Sequence, residues 1–250
     1  MAHPNPMLRK HKLGYPASAL VVITPDTFIV GGGGGKSKTG IHNRVSMVAF
    51  KDDELKELSH VDFGEDRVVG LCDVPAHKVV FCTTAQGKTH EVTYENNKLL
   101  RKSTTATAEV PNGEDNSPSQ RAIAANKAGD RLLISQGSTI NVWRYAKGNN
   151  KPLSKDRAID TLEVHSDDIR DVEISPKGDL FLTIDDGALA LWDFEKGTLV
   201  TKARPADSGK AAKSPVKLKF RGATFSKDGT KIYTAASGPK GGFIAARSIG

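Results

Sequence analysis

The chain has 250 residues, of which 38% are hydrophobic and 26% charged, and Lys plus Arg outnumber Asp plus Glu by 36 to 29 for a net charge of +7. That balance is globular rather than disordered, and a chain this long buries enough surface to need neither disulfides nor a metal. Apolar runs such as residues 19–23 fall far short of the ~20 residues that span a bilayer. Residues 1–12 carry Arg9, Lys10 and Lys12 with no apolar segment behind them, unlike a secretory leader. Cys72 and Cys82 fit neither a disulfide framework nor a zinc signature and read as reduced, buried thiols of a cytosolic protein.

In chain order, Thr24-Pro25-Asp26-Thr27 precedes a strand over 28–31, and a second strand is predicted over 45–50. Val74-Pro75-Ala76-His77 precedes a strand over 78–83. Residues 103–120 read as a flexible polar loop. Asn126-Lys127-Ala128-Gly129-Asp130 opens the next strand, and Trp143 lies on the third strand of that unit. The best-formed unit spans 169–203: four short runs rich in Val, Ile, Leu and Phe, separated by Gly/Asp turns, with Trp192 on the third. Residues 196–221 hold eight basic residues against Asp207 alone, a solvated linker or a face toward an anionic surface such as a membrane. Ser226-Lys227-Asp228-Gly229-Thr230 opens the last predicted strand pair.

The recurring turns begin at 24, 74, 126, 175 and 226, in steps of 50, 52, 49 and 51. A four-stranded unit at this period predicts an all-β fold, a WD-repeat-like β-propeller, with five recognisable blades starting near 14, 64, 120, 165 and 216 in a single domain. Trp192-Asp193, with Asp186 six residues before the Trp and His165 upstream, resembles the WD pattern, and His165 and Asp186 are expected in the hydrogen-bond network that fixes the blade. Kelch repeats have a similar period, but their diglycine is matched only by Gly31-Gly32. His77, His90 and His165 read as packing or turn residues, and Asp167-Asp168 and Asp185-Asp186 as turn carboxylates. No nucleophile elbow or acid–base dyad stands out, so the chain is expected not to be an enzyme.

The segment with chemical character runs from Gly31, Gly32, Gly33, Gly34 and Gly35 through Lys36, Ser37, Lys38 and Thr39 to Gly40, Ile41, His42, Asn43 and Arg44. A P-loop requires glycine at the position of Val30 and a helix after the lysine, and neither condition is met. The dinucleotide fingerprint fails as well. Five glycines can present carbonyls to a cation, amides to an anion or backbone to a partner, and a bare hairpin tip is the plainer alternative.

Gly14-Tyr15-Pro16, the strand over 28–30, the glycine run and Gly40-Ile41-His42-Asn43 resemble, in order and spacing, the first blade of one family. These are the endoplasmic-reticulum guanine-nucleotide exchange factors for the Sar-type small GTPase, which include the animal prolactin regulatory element-binding protein and its fungal counterparts. The resemblance implies a seven-bladed propeller on the cytosolic face of the endoplasmic reticulum, anchored by a following membrane helix. Its activity would be GTP loading of a Sar-type small GTPase, which starts assembly of coat protein complex II. It implies that Asn43 and Ile41 engage the GTPase, with Gly40, His42 and Arg44 beside them, and that Gly31–Gly35 shape a loop whose carbonyls can hold a potassium ion. No other cofactor and no nucleic-acid partner are expected. Five units rather than seven suggest a shortened chain without the anchor. A scaffolding propeller without exchange activity is the alternative.

Overall fold

The computed structural model describes residues 10–36, 40–108, 120–205, 218–239 and 241–249. They form five antiparallel sheets in chain order. The first is β1 (Ala17–Thr24), β2 (Thr27–Gly32), β3 (Arg44–Lys51) and β4 (Glu54–Asp62). The second is β5 (Val68–Val74), β6 (Val79–Thr84), β7 (Lys88–Glu95) and β8 (Lys98–Ala106). The third is β9 (Ile123–Ala125), β10 (Arg131–Gln136), β11 (Thr139–Tyr145) and β12 (Leu153–Asp160). The fourth is β13 (Asp171–Ile174), β14 (Leu180–Ile184), β15 (Leu189–Asp193) and β16 (Leu199–Ala203), and the fifth is β17 (Lys219–Phe225), β18 (Lys231–Gly238) and β19 (Gly241–Ser248). The chain is thus a five-bladed β-propeller arrangement, and its described residues hold no α-helix.

Each blade begins on the inside. β1, β5, β9, β13 and β17 pack against one another in succession, and the fourth strands lie outermost. Strand alternation sends successive side chains to opposite faces, so a central strand must be apolar on both. In blade four, Phe181, Ala190 and Trp192 face blade three, where they meet Leu133, Ile140 and Val142. Their neighbours Leu182, Ile184 and Leu191 face Phe220, Ala223 and Ile232 of blade five. The same sharing joins blades one and two through Ile29, Val45, Val68 and Val80, and blades two and three through Phe81, Leu132 and Trp143. Polar bridges cross these seams. Tyr145 Oη donates to Glu91 Oε1 (2.8 Å), and the Phe225 N–H donates to Glu173 Oε2 (3.0 Å). Among the described residues no comparable packing joins blade five to blade one, and their outer faces show Ile244 (86% exposed) and Val22 (64%).

The recurring turn has a local cause. Ser175 Oγ accepts from the Leu180 N–H (3.2 Å), Ser226 Oγ from Lys231 (2.9 Å) and Asn126 Oδ1 from Arg131 (3.1 Å). The glycine between them takes φ of 75°, 78° and 70° at Gly129, Gly178 and Gly229, a left-handed turn that side chains resist. Residues 103–106, expected in a flexible loop, instead complete β8, and residues 109–119 lie outside the described set.

Blade four carries the WD network with one change of partner. His165 Nε2 is 2.7 Å from Thr183 Oγ1, which also accepts from Trp192 Nε1 (2.8 Å). The carboxylate facing His165 Nδ1, at 3.5 Å, belongs to Asp185 and not to Asp186. Burial opposes ionisation of Asp185, but His165 and the Gly187 and Ala188 N–H groups outweigh it and bring the carboxyl down to about 2. Blade three places Ile134 at the register position of Thr183, and Trp143 Nε1 is accordingly buried without a partner among the described residues. Replacing Thr183 with Val keeps the shape and strands two buried ring nitrogens. Urea unfolding should show a loss of roughly 2–4 kcal/mol.

Candidate functional site: the β2–β3 loop and its rim

In an up-and-down sheet the connection from the second to the third strand leaves at the same end as the connection to the next sheet. The β2–β3 loop therefore shares one face of the propeller with residues 63–67 and 161–170.

The base of this loop is tightly fixed. Asn43 is 2% exposed. Its Oδ1 accepts from the Gly35 N–H (2.8 Å), and its Nδ2 donates to Gly35 O (3.0 Å) and to Gly64 O (2.8 Å), the latter in the link to blade two. The Phe63 N–H donates to Asn43 O (2.8 Å). Gly33, at φ 147°, passes so close that a Cβ there would sit 2.0 Å from Asn43 Oδ1. Gly32 lies against Pro16, whose carbonyl a Cβ would meet at 2.0 Å, and Pro16 O accepts from the Gly33 N–H (3.0 Å). The Tyr-Pro pair is drawn in by the same contact: Tyr15 Oη donates toward Ser46 Oγ (2.9 Å) and Val30 O (3.2 Å) on the sheet.

These positions revise the expected role of Asn43. Its carboxamide faces inward and fastens the loop, so in this conformation it presents nothing to a partner. Gly31 packs over Val68 and Leu71 of blade two. Gly40 and the side chains of Ile41 and His42 are exposed at the described part of the tip. Arg44 turns toward β4, with Nε 3.3 Å from Asp62 Oδ1. Ser37, Lys38 and Thr39 lie outside the described residues. Among the described residues, Gly35 O and Gly64 O converge on the Asn43 N–H groups, which already supply the positive partner those carbonyls need.

Beneath the loop, the Phe63 ring meets His90 edge-on at 4.8 Å, and His90 is 5% exposed with Nδ1 2.9 Å from Thr104 Oγ1. Burial, aided by Arg101 and Lys88, lowers its proton affinity from 6.5 to about 4. The unfolded chain takes up this proton near pH 6.5 and the folded chain near 4. The stability His90 contributes is therefore full above pH 6.5 and lost as pH falls toward 4. Unfolding free energies across that window should decline less in His90→Gln than in the wild type.

The same face holds a second feature, built in part from the turn carboxylates Asp167, Asp168 and Asp186. A polar cleft of about 470 Å³ opens where blades three, four and five meet, lined by Arg121, Asp167, Asp168, Arg170, Asp186 and Lys219. Asp186 pairs with Arg170, with Lys219 Nζ (2.7 Å) and with Arg221 Nη1 (3.3 Å). Lys219 foremost, and Arg170, hold its carboxyl below the usual range.

No family model matches the chain, and no curated protein matches it in sequence. Solved structures do match its fold. A protein from Lactobacillus plantarum superposes with a TM-score of 0.69 at 12% identity, covering 93% of this chain and 70% of that one. The periplasmic gluconolactonase of Pseudomonas aeruginosa superposes with a TM-score of 0.67 at 15% identity, covering 93% of this chain and 68% of that one. At these identities the likeness establishes the propeller fold. It also corrects the expectation that the chain is not an enzyme. One fold neighbour is named for an enzymatic activity, so a missing sequence dyad cannot carry that assignment.

Asn43→Ala would leave the Gly35 and Gly64 groups without partners. We expect a loss of about 1–3 kcal/mol in urea unfolding, together with faster amide exchange at Gly35.

Proposed function

We propose that the chain is a guanine-nucleotide exchange factor for a Sar-type small GTPase, acting at the cytosolic face of the endoplasmic reticulum in coat protein complex II assembly. The reading is supported chiefly by the β2–β3 loop, which combines a locked base with an exposed tip carrying Ile41. It is supported as well by the Gly14–Pro16 and Gly40–Asn43 elements that resemble the exchange-factor family.

An exchange factor binds the nucleotide-free GTPase better than the loaded one, and that difference in affinity drives release. A loop suited to this must not lose its order when it meets the switch segments, because ordering on contact subtracts from the binding energy. Asn43 and the close contacts at Gly32 and Gly33 supply that order beforehand. Ile41 offers an apolar wedge, His42 a polar neighbour and Gly40, at φ 72°, the turn that leads into them. Potassium enters no step of this account.

Release of a fluorescent GDP analogue from a Sar-type GTPase tests the proposal. Wild type should accelerate release, and Ile41→Ala should reduce the acceleration about tenfold or more at an unchanged urea midpoint. Equal release with and without the chain would leave a scaffold in its place.

A second reading draws on the fold neighbour named as a gluconolactonase. The rim cleft sets Asp167 and Asp168 beside Arg170, carboxylates and a cation of the kinds that lactone hydrolysis employs. Gluconolactone hydrolysis above the buffer rate, lost in Asp168→Asn, would carry it.

A further inference from the structure

Arg121, Arg170 and Arg221 each stand five residues ahead of a recurring turn, and strand pairing sets them in register. Ile123 pairs with Ile134, Val172 with Thr183 and Ala223 with Thr234, each partner standing three residues beyond the start of its second strand. The residue two places before each innermost-strand member is Arg121, Arg170 or Arg221. Blade two has Val69 at this place, ahead of Leu71, which pairs with Cys82. Three guanidinium groups therefore recur on the inner rim of blades three, four and five, at the end of the propeller that carries the β2–β3 loop, and Lys219 joins them.

This arc has capacity in reserve. Asp186, 14% exposed at its side chain, serves Arg170, Lys219 and Arg221 together. Arg221 gives its Nε to Ser237 Oγ (2.8 Å) and its Nη1 to Asp186. Arg170 meets Asp186 through its Nε and keeps its side chain 39% exposed. Arg121 is exposed, and its guanidinium has no partner among them at all. Cations remain in excess even with Asp167 and Asp168 counted. A free guanidinium fork matches the two oxygens of a carboxylate.

We propose that the arc of Arg121, Arg170, Lys219 and Arg221 is a docking site for an acidic segment of the protein partner that the β2–β3 loop engages. The site deepens the exchange reading and rests on it for the identity of that partner. The cations are spread over three blades, which suits an extended segment bearing several carboxylates better than one small anion. Asp167 and Asp168, set among them, would repel a continuous phosphate chain, whereas a protein segment can place a basic or neutral residue there. Such a contact would speed encounter and fix orientation, and would weaken with salt.

Arg121→Glu is the informative variant, because a partnerless exposed side chain can change sign without disturbing the fold. A matched urea midpoint confirms this. In nucleotide release at about 50 mM salt, Arg121→Glu should lower kcat/KM about fivefold to tenfold through KM, and Arg121→Lys should restore most of it. The difference should disappear near 0.5 M salt. Ile41→Ala should instead lower kcat at every salt concentration. A labelled hepta-glutamate peptide, followed by anisotropy, should bind wild type at low salt and not Arg121→Glu. Active wild type with unchanged kcat/KM and salt slope in Arg121→Glu would overturn the docking site and leave exchange standing. Inactive wild type that still binds the peptide through Arg121 would keep the acidic-segment site and remove the exchange reading. Binding of inorganic phosphate without the peptide would overturn the proposal in favour of a small-oxyanion site.

Discussion

A central strand with apolar side chains on both faces cannot be satisfied within its own sheet, and the rest of this molecule answers that constraint. Phe181 and Leu182 are adjacent in sequence, lie on opposite faces and are both fully buried, each by a different neighbouring blade. Blades two, three and four are thus each half of two cores. Close packing of this kind transmits position, so loops at one end of the wheel are held by sheets that cannot move independently. The bridges from Tyr145 to Glu91 and from Phe225 to Glu173 add directional contacts across two of these seams.

The same economy governs the loop. Asn43 reaches back to Gly35 and forward to Gly64, so one carboxamide ties the loop to the link into blade two. The Phe63 amide on Asn43 O and the Phe63 ring on His90 continue that tie into the seam between blades one and two. The loop at the rim is therefore continuous with the core through Asn43 and Phe63.

Much of this was legible in the sequence because its cause is local. The Ser/Asn-x-x-Gly turn repeats because a side-chain oxygen meets a strand amide five residues on, and both ends lie within one short segment. Alternation exposed the strands for the same reason. What was not legible depends on partners distant along the chain. Counting back from Trp192 selects Asp186, but strand geometry turns Asp185 toward His165 and sends its neighbour to the rim. Asn43 reads as a polar tip residue, and its burial follows from backbone groups 8 and 21 residues away. The arginine arc stands five residues ahead of the turns that begin at 126, 175 and 226, so its spacing was legible, whereas the Asp186 carboxylate that gathers its members comes from a turn distant along the chain.

One carboxylate serves three cations because Lys219 and Arg221, two residues apart on β17, both reach Asp186 of blade four, while Arg170 arrives from the start of β13. Repulsion among three cations would splay them if nothing stood between. With Asp186 ionised at their centre, they are held in place with donors still facing outward. The seam between blades four and five thereby converts a core constraint into a positioned charge array, as the seam between blades one and two converts it into a positioned loop. A partner that spans the face meets two preset features, and neither must be ordered at its expense.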